Sequence, residues 1–138
     1  MKYAVYGSQY KQPKWLLEFC QYMGGFLAVH ACTLVTKRLL GLDWVFREGV
    51  RDVGGREIFV LTVNHLAVME DCDFVIVNLP NEHKVIEHAR KLRKPLYNLY
   101  GRERLTAVQD TFRIFLAKLD LLTDEEVLDV CQNQLTNF

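Results

Sequence analysis

Five short apolar runs, separated by segments of helical spacing or turns, constrain the fold of this chain more than any other feature. The runs are continuous rather than alternating, and such strands are typically buried on both faces of a parallel sheet. The repetition of strand and helix indicates the same architecture. The sequence therefore predicts an α/β fold, a single doubly wound, Rossmann-like domain of about five mostly parallel strands with helices on both faces. The predicted strands are residues 3–6, 33–35, 58–61, 74–77 and 96–100.

Apolar residues at helical spacing mark the predicted helices between these strands. The first helix is expected to begin near Pro13 and to end at the Gly24-Gly25 pair. The second covers residues 42–53 and is expected to stop at Gly54-Gly55. A third apolar face, formed by Val85, Ile86, Ala89 and Leu92, predicts a helix before the last strand.

The C-terminal segment departs from this alternation, because an apolar stripe there steps by three and four residues. The residues 123–126, Thr-Asp-Glu-Glu, form a capping box that predicts one more short helix. We expect the stripe to pack in the core, although its near-3.5 period also permits a homodimer through the C-terminal helices. The stripe consists of Leu105, Val108, Phe112, Phe115, Leu119 and Leu122.

The length and the net charge of the chain limit the number of domains and the classes of partner that we expect. The 138 residues fit one domain, with residues 1–100 as the sheet core and 101–138 as C-terminal helices. The 17 basic and 17 acidic residues cancel, which argues against nucleic acid and anionic membranes as partners. No apolar run approaches the length of about 20 residues that a membrane helix needs. The start of the chain does not resemble a signal peptide, so we expect a cytoplasmic location.

The four cysteines do not form a metal-binding pattern. Cys20, Cys32, Cys72 and Cys131 are widely spaced, with no C-x-x-C pair and no histidine at finger-like spacing. The first three lie in apolar contexts and are expected to be buried thiols. We therefore predict no metal site and no cofactor.

Candidate ligand-binding residues follow from the expected topology. Ligands of open α/β sheets bind beyond the carboxyl ends of the strands, so the residues that follow each strand are the candidates. The loop histidines His65 and His83 could also act as general bases near neutral pH, although a lone loop histidine is more often solvated. The candidates are Gly7, Ser8, Gln9, Tyr10, Thr36, Lys37, Arg38, Gly41, Asp43, Asn64, Asn81, Glu82 and His83.

Two of these loops resemble a known family. The segment TKRLLGLD resembles the Ser-Gly-Gly-Ala-x-Gly-x-Asp motif of the SLOG superfamily, which includes DNA-processing protein A and the "lonely guy" phosphoribohydrolases. Thr36 lies at the serine position, and Gly41 and Asp43 at the last glycine and the aspartate. Lys37 and Arg38 stand where the two central glycines would be. Their side chains could contact an anion in place of a backbone cradle, or they could simply be solvated.

A second resemblance lies in residues 69–100, where the helix KVIEHARKLRKP is similar to one in small members of that superfamily. The enzymes of the superfamily use a glycine-rich loop after the fourth strand, and here that loop reads PNEHKVIE without glycine. Glu82 or Glu87 could act as a nucleophile or base toward a ribosyl carbon. Glu87 is expected inside a helix at the surface, so Glu82, in the loop itself, is the better-placed but weak candidate. The resemblance implies binding of a nucleotide or nucleotide-derived small molecule without turnover. The alternatives are an N-glycosidic hydrolase or transferase acting on nucleotides, and a ligand-free protein-interaction module acting as a dimer.

Overall fold

The computed structural model describes residues 1–37, 41–123 and 125–126. Five parallel strands form one sheet in the order β3-β2-β1-β4-β5. This topology confirms the predicted α/β, doubly wound class. The strands are β1 (Lys2–Gly7), β2 (Thr33–Thr36), β3 (Glu57–Phe59), β4 (Phe74–Asn78) and β5 (Leu96–Asn98). The helices that connect these strands are α1 (Lys14–Val29), α2 (Leu42–Asp52), a short 3₁₀ helix (His65–Met69) and α3 (Lys84–Lys91).

Alternate residues of the central strand divide the core into two layers. Tyr3 lies on the face that α2 covers, where its ring stacks on Phe74 and meets the edge of Phe46. Ala4 and Tyr6 lie on the opposite face, in a cluster that includes residues of α3 and of the 3₁₀ helix. The central strands β1 and β4 are covered on both sides, so their residues are apolar without alternation, as the sequence indicated, whereas Ile58 and Phe59 of the edge strand β3 are exposed.

The first helix is longer than predicted, because the Gly24-Gly25 pair does not end it. Both glycines are buried inside α1, which continues to Val29. A side chain at Gly24 would overlap the backbone of Phe46 in α2, and one at Gly49 of α2 would overlap the backbone of α1. The glycines therefore allow the two helices to approach closely. The prediction that they act as a helix stop was wrong.

The predicted ends of two strands also differ from the structure. β3 ends at Phe59 and β5 at Asn98, whereas the apolar runs continue to residues 61 and 100. Leu61 and Val63 are exposed, so apolar character extends beyond the paired part of β3. At β5, the Asn98 side chain accepts a hydrogen bond from the backbone N–H of Tyr100, which turns the chain out of the sheet. The second predicted helix stop is confirmed, since α2 ends before Gly54, which has a positive φ of 66°.

The described chain groups into two compact units, Met1–Tyr100 and Gly101–Phe138. The second unit contains α4 (Leu105–Lys118), in which Val108, Phe112 and Phe115 of the predicted stripe are buried. The Thr123 hydroxyl accepts a hydrogen bond from the backbone N–H of Glu126, as the capping box predicts. The other residues of that predicted helix, like Cys131, lie largely outside the described residues. The homodimer through these helices stays a prediction.

Two further expectations can be compared with the described residues. Cys20, Cys32 and Cys72 are buried free thiols, as their apolar contexts indicated. Burial raises the pKa of the Cys72 thiol to about 12, so this thiol is protonated and unreactive at neutral pH. Among the described helices, none combines the length and apolar character needed to cross a bilayer.

Candidate functional site

The strand order places a crevice beside the central strand. After β1 the chain proceeds outward through β2 and β3, and it then returns to the other side of β1 to form β4 and β5. The connections from β1 and from β4 therefore leave the sheet in opposite directions, which opens a crevice beyond their carboxyl ends. Gly7 at the end of β1 pairs with Asn78 at the end of β4, so the two strands end side by side.

A cavity of about 490 Å³ lies at this position. This volume is in the range of small-molecule sites, and the cavity combines apolar walls with a few polar groups, as such sites usually do. The polar groups come from the ends of β1, α2 and α3 and from the 3₁₀ helix. The described residues that line it are Val5, Tyr6, Gly7, Ser8, Gly41, Asp43, His65, Leu79, His83, Lys84 and Val85.

Two glycines let the backbone approach closely on one side of the cavity. Gly7 has a φ of 151°, which disfavours any residue with a side chain. A Cβ added to Gly41 would lie 2.6 Å from the carbonyl oxygen of Gly7. The start of α2 therefore rests directly on the end of β1. Packing against β1 therefore favours glycine at position 41 independently of any ligand.

The Asp43 carboxylate occupies the amino-terminal end of α2 from inside the protein. The Thr36 hydroxyl donates a hydrogen bond of 2.7 Å to its Oδ2 atom, and both residues are buried. Burial raises the pKa of Asp43, while hydrogen bonds from Thr36 and from the backbone N–H groups of Trp44, Gly41 and Asp43 itself oppose that rise. These N–H groups would otherwise be the natural donors for a ligand anion at this helix end. A phosphate at the start of α2 would therefore compete with the protein's own carboxylate.

Two contacts with Tyr6 hold His65 at the cavity, one through the His65 backbone and one through its ring. The Tyr6 hydroxyl donates a hydrogen bond of 2.8 Å to the His65 carbonyl oxygen, and the two rings meet edge to face at 4.5 Å. The Asn64 side chain accepts from the backbone N–H of Leu66 and so caps the 3₁₀ helix. Partial burial, followed by the charge of Lys37, lowers the pKa of His65. The imidazole is therefore neutral at neutral pH.

His83 and Lys84 form the opposite side of the cavity at the start of α3. The Nδ1 atom of His83 accepts a hydrogen bond of 3.1 Å from the backbone N–H of Val85 and caps the helix. A ring nitrogen that accepts carries no proton, so the proton of the neutral ring is on Nε2. His83 thus offers an N–H donor beside the exposed ammonium group of Lys84. Both groups can donate to an anion.

The predicted site residues divide into two groups. Gly7, Ser8, Gly41, Asp43 and His83 line the cavity. Seven others are described but are not among the lining residues: Gln9, Tyr10, Thr36, Lys37, Asn64, Asn81 and Glu82. Arg38 lies outside the described residues.

Three residues of the second group have structural contacts, and two others are exposed. Thr36 lies behind Asp43, and Asn64 caps the 3₁₀ helix. Asn81 accepts from the Asn98 side chain at 3.4 Å. Glu82 and Tyr10 are exposed, Tyr10 by 65%.

Six lining residues were absent from the predicted set. Four of them form the walls, namely Val5, Tyr6, Leu79 and Val85. The other two, His65 and Lys84, are the polar groups that matter for chemistry. His65 carried a signal, since the pair Asn64-His65 lies in the loop after the third apolar run and His65 was named as a possible general base. Lys84 carried a weaker one, as the first residue of α3 after the loop that the strand-end rule selects.

No family model, curated protein or solved structure matches this chain. The functional argument therefore depends on the geometry and the chemistry of the cavity.

Proposed function

We propose that the chain binds a nucleotide or a nucleotide-derived small molecule without turning it over, in the cavity between the ends of β1 and β4. The observation that carries this proposal is the cavity itself, which lies at the point where the sheet topology reverses. Doubly wound sheets bind their ligands there. Membership of the SLOG superfamily stays part of the proposal, supported by the resemblance of the sequence and by the fold class.

The charges of the cavity favour an anion at the start of α3. His83 offers its Nε2–H group and Lys84 its ammonium group, and the positive end of the helix dipole adds to both. The start of α2 is less favourable, because the Asp43 carboxylate already uses its backbone donors. The contact predicted for Lys37 and Arg38 stays a prediction, with less support than the contact at α3.

The apolar side of the cavity suits the rest of such a ligand. Val5, Leu79 and Val85 provide aliphatic surface, and the ring of Tyr6 lies among them. The carboxylate of Asp43 can accept a hydrogen bond from a ribose hydroxyl or a base amino group. A ligand with one anionic end and one flat, weakly polar end can contact the donors at the start of α3 and the apolar wall at the same time.

The experiment compares AMP with adenosine, which lacks the phosphate, by thermal shift and calorimetry. We expect AMP to bind more tightly than adenosine. The Lys84→Ala variant should weaken AMP binding by about 1–2 kcal/mol, as expected for a partly solvated charged hydrogen bond. Lys91→Ala is the matched control, because Lys91 is an exposed lysine in the last turn of the same helix. Equal losses in both variants would indicate a diffuse charge effect and would contradict the assignment.

The two alternatives predict different outcomes of that experiment. A ligand-free interaction module would show no stabilisation by AMP or by any other nucleotide. An N-glycosidic hydrolase would release adenine from AMP during the incubation. The carboxylate proposed for that chemistry, Glu82, is exposed and is not among the described lining residues, whereas Asp43 lines the cavity. Adenine release that disappears in Asp43→Asn would therefore favour the hydrolase.

A further inference from the structure

His65 lines the cavity, and its ring packs against Tyr6. The Tyr6 hydroxyl bonds to the His65 backbone, and Tyr6 contacts the ring only through its edge-to-face packing. No side chain or backbone group in the described part of the chain hydrogen-bonds to the ring nitrogens of His65. These nitrogens are therefore available to a ligand in the cavity.

The ionisable groups that act on His65 come from three elements, and the two lysines among them are positive. Lys37 follows β2, His83 and Lys84 begin α3, and Asp43 of α2 is the one carboxylate among the described groups that act on it. Tyr6 of β1 adds a neutral hydroxyl. Partial burial lowers the pKa of His65 first, Lys37 next, and Lys84 and His83 add smaller effects, while Asp43 alone raises it. Protonation of His65 in the empty cavity thus adds a positive charge beside positive charges.

An anion in the cavity reverses this balance. A phosphate group beside His83 and Lys84 offsets the cations that oppose the imidazolium form, and it accepts a hydrogen bond from a protonated ring. The anion and the proton then stabilise each other. Because such coupling is reciprocal, any factor by which the anion strengthens proton binding is the factor by which the proton strengthens anion binding.

We propose that the cavity binds its ligand as an oxyanion together with one proton from solvent, which His65 takes up. This inference rests on the proposed function, since it assumes that the cavity binds an anionic ligand. The chemical class is a phosphate monoester or a similar dianion. Its regulatory consequence is that affinity for the ligand rises as the pH falls from about 8 to about 6, the range in which histidine titrates.

Asp43 could produce a similar trend by another route, and the test separates the two. Its pKa is raised by burial, so partial protonation at acidic pH would also remove a negative charge from the cavity. The His65→Gln variant keeps a polar side chain of similar size and cannot take up the proton. If the rise in affinity at lower pH remains in His65→Gln, it is due to Asp43 or to the ligand. If the rise disappears in that variant, it is due to His65.

The first measurement follows the ring C–H resonances of the histidines by NMR between about pH 5 and pH 8. It uses the unmodified chain in sulfate or in chloride at equal ionic strength, because sulfate stays a dianion over this range. We expect sulfate to move the His65 titration to higher pH and to leave the His30 resonances the same as in chloride. His30 is the matched control, because it lies at the end of α1 against Phe26 and does not line the cavity. Equal behaviour of the two histidines would overturn the proposal.

The second measurement determines proton uptake when AMP binds, by calorimetry in buffers of different ionisation enthalpy. On binding AMP, the wild-type chain should take up a larger fraction of a proton than the His65→Gln variant. The ratio of the wild-type affinity for AMP to that of the variant should also grow as the pH falls. A rise of one unit in the pKa of His65 corresponds to about tenfold tighter binding of the anion to the protonated form. Since the ionisation of AMP is the same in both titrations, it cancels from the comparison.

The outcomes distinguish this proposal from the proposed function. If AMP binds with the same proton uptake in both proteins, the nucleotide site stands and the role of His65 is overturned. If sulfate shifts the His65 titration selectively while no nucleotide binds, proton-coupled anion binding stands and the nucleotide assignment fails.

Discussion

The Thr36–Asp43 hydrogen bond is the residue-scale feature that decides how the start of α2 behaves. A buried carboxylate is costly unless it is hydrogen-bonded, and Asp43 obtains its bonds from a neighbouring hydroxyl and from the end of its own helix. The pair therefore converts a potential anion site into a self-contained cap. The sequence indicated both residues but for a different role, because the motif shows which residues are present and not which way a side chain turns.

We expect Thr36→Val to lower the free energy of unfolding by about 1–3 kcal/mol at neutral pH, the range for a lost hydrogen bond to a buried charge. Valine matches threonine in shape, so the change isolates the hydroxyl. The hydroxyl stabilises the charged carboxylate and so lowers the pKa of Asp43. Its contribution is therefore full above that pKa and is lost as the pH falls through it. Denaturant unfolding at neutral and acidic pH measures both effects.

Thr36→Ser serves as the control, because it keeps the donor and removes only a methyl group. It should cost about 1 kcal/mol through the small cavity it leaves, with no added dependence on pH. If the serine and valine variants lose the same stability and respond equally to pH, the hydroxyl does not support Asp43 and the interpretation of this helix end is wrong.

At the scale of elements, the sequence predicted the presence of the strands, which depends on local apolar pattern. It missed the ends of two strands and the role of the Gly24-Gly25 pair, which depend on neighbouring elements. Continuous apolar runs indicated all five strands, and for β1 and β4 the reason is that strands covered on both faces need apolar residues at every position. The ends of β3 and β5 were placed too late, since apolar residues also occur where a strand has lost its pairing partner. The Gly24-Gly25 pair was misread because glycine inside a helix usually weakens it. Only the position of α2 shows why α1 tolerates these glycines.

We predict that Gly49→Ala destabilises the protein by about 3 kcal/mol, despite the better helix propensity of alanine. The added methyl group would overlap the Gln21 carbonyl of α1, a backbone group that cannot rotate away. The two helices must therefore separate, which opens the face of the core that includes Phe46. Denaturant unfolding monitored by circular dichroism provides the measurement.

Gly25→Ala is a graded control at the same interface. Its added carbon would lie 3.2 Å from the Gly49 carbonyl oxygen, a tight contact that a small shift relieves. Its loss of stability should be clearly smaller than that of Gly49→Ala. A Gly49→Ala variant as stable as the parent would show that the helices have room to spare.

For the whole molecule, the topology predicts where a ligand can bind better than the sequence predicts which groups bind it. The strand-end rule located the cavity correctly from the alternation of elements, and Gly7, Ser8 and His83 were found in this way. His65 was named only as a possible general base and Lys84 was not selected, because the rule identifies a loop and not the side chains that point inward. Asn81 and Glu82 lie in the selected loop, yet they are not among the described residues that line the cavity.

The last prediction concerns nucleic acid, because the superfamily that the sequence resembles includes a DNA-processing protein. The 17 basic and 17 acidic residues of this chain cancel, so the molecule as a whole exerts no attraction on a polyanion. Non-specific binding to DNA depends on cations that neutralise several phosphates and release their counterions. The cations near the cavity, Lys37 and Lys84, are too few and too local for that. We therefore expect binding to a duplex at physiological salt to be weaker than about 10⁻⁴ M, measured by fluorescence anisotropy.

A variant with added positive charge serves as a positive control for DNA binding. Glu82 and Glu87 are exposed near the start of α3, and replacing both with lysine raises the net charge near Lys84 by four, because each substitution removes one negative charge and adds one positive charge. That variant should gain weak DNA binding that disappears as the salt concentration rises, since its binding would be purely electrostatic. The parent chain should show none under the same conditions. Tight binding by the parent, with a steep dependence on salt, would mean that a basic surface exists despite the neutral total, and the preference for a small anionic ligand would then lose its basis in charge.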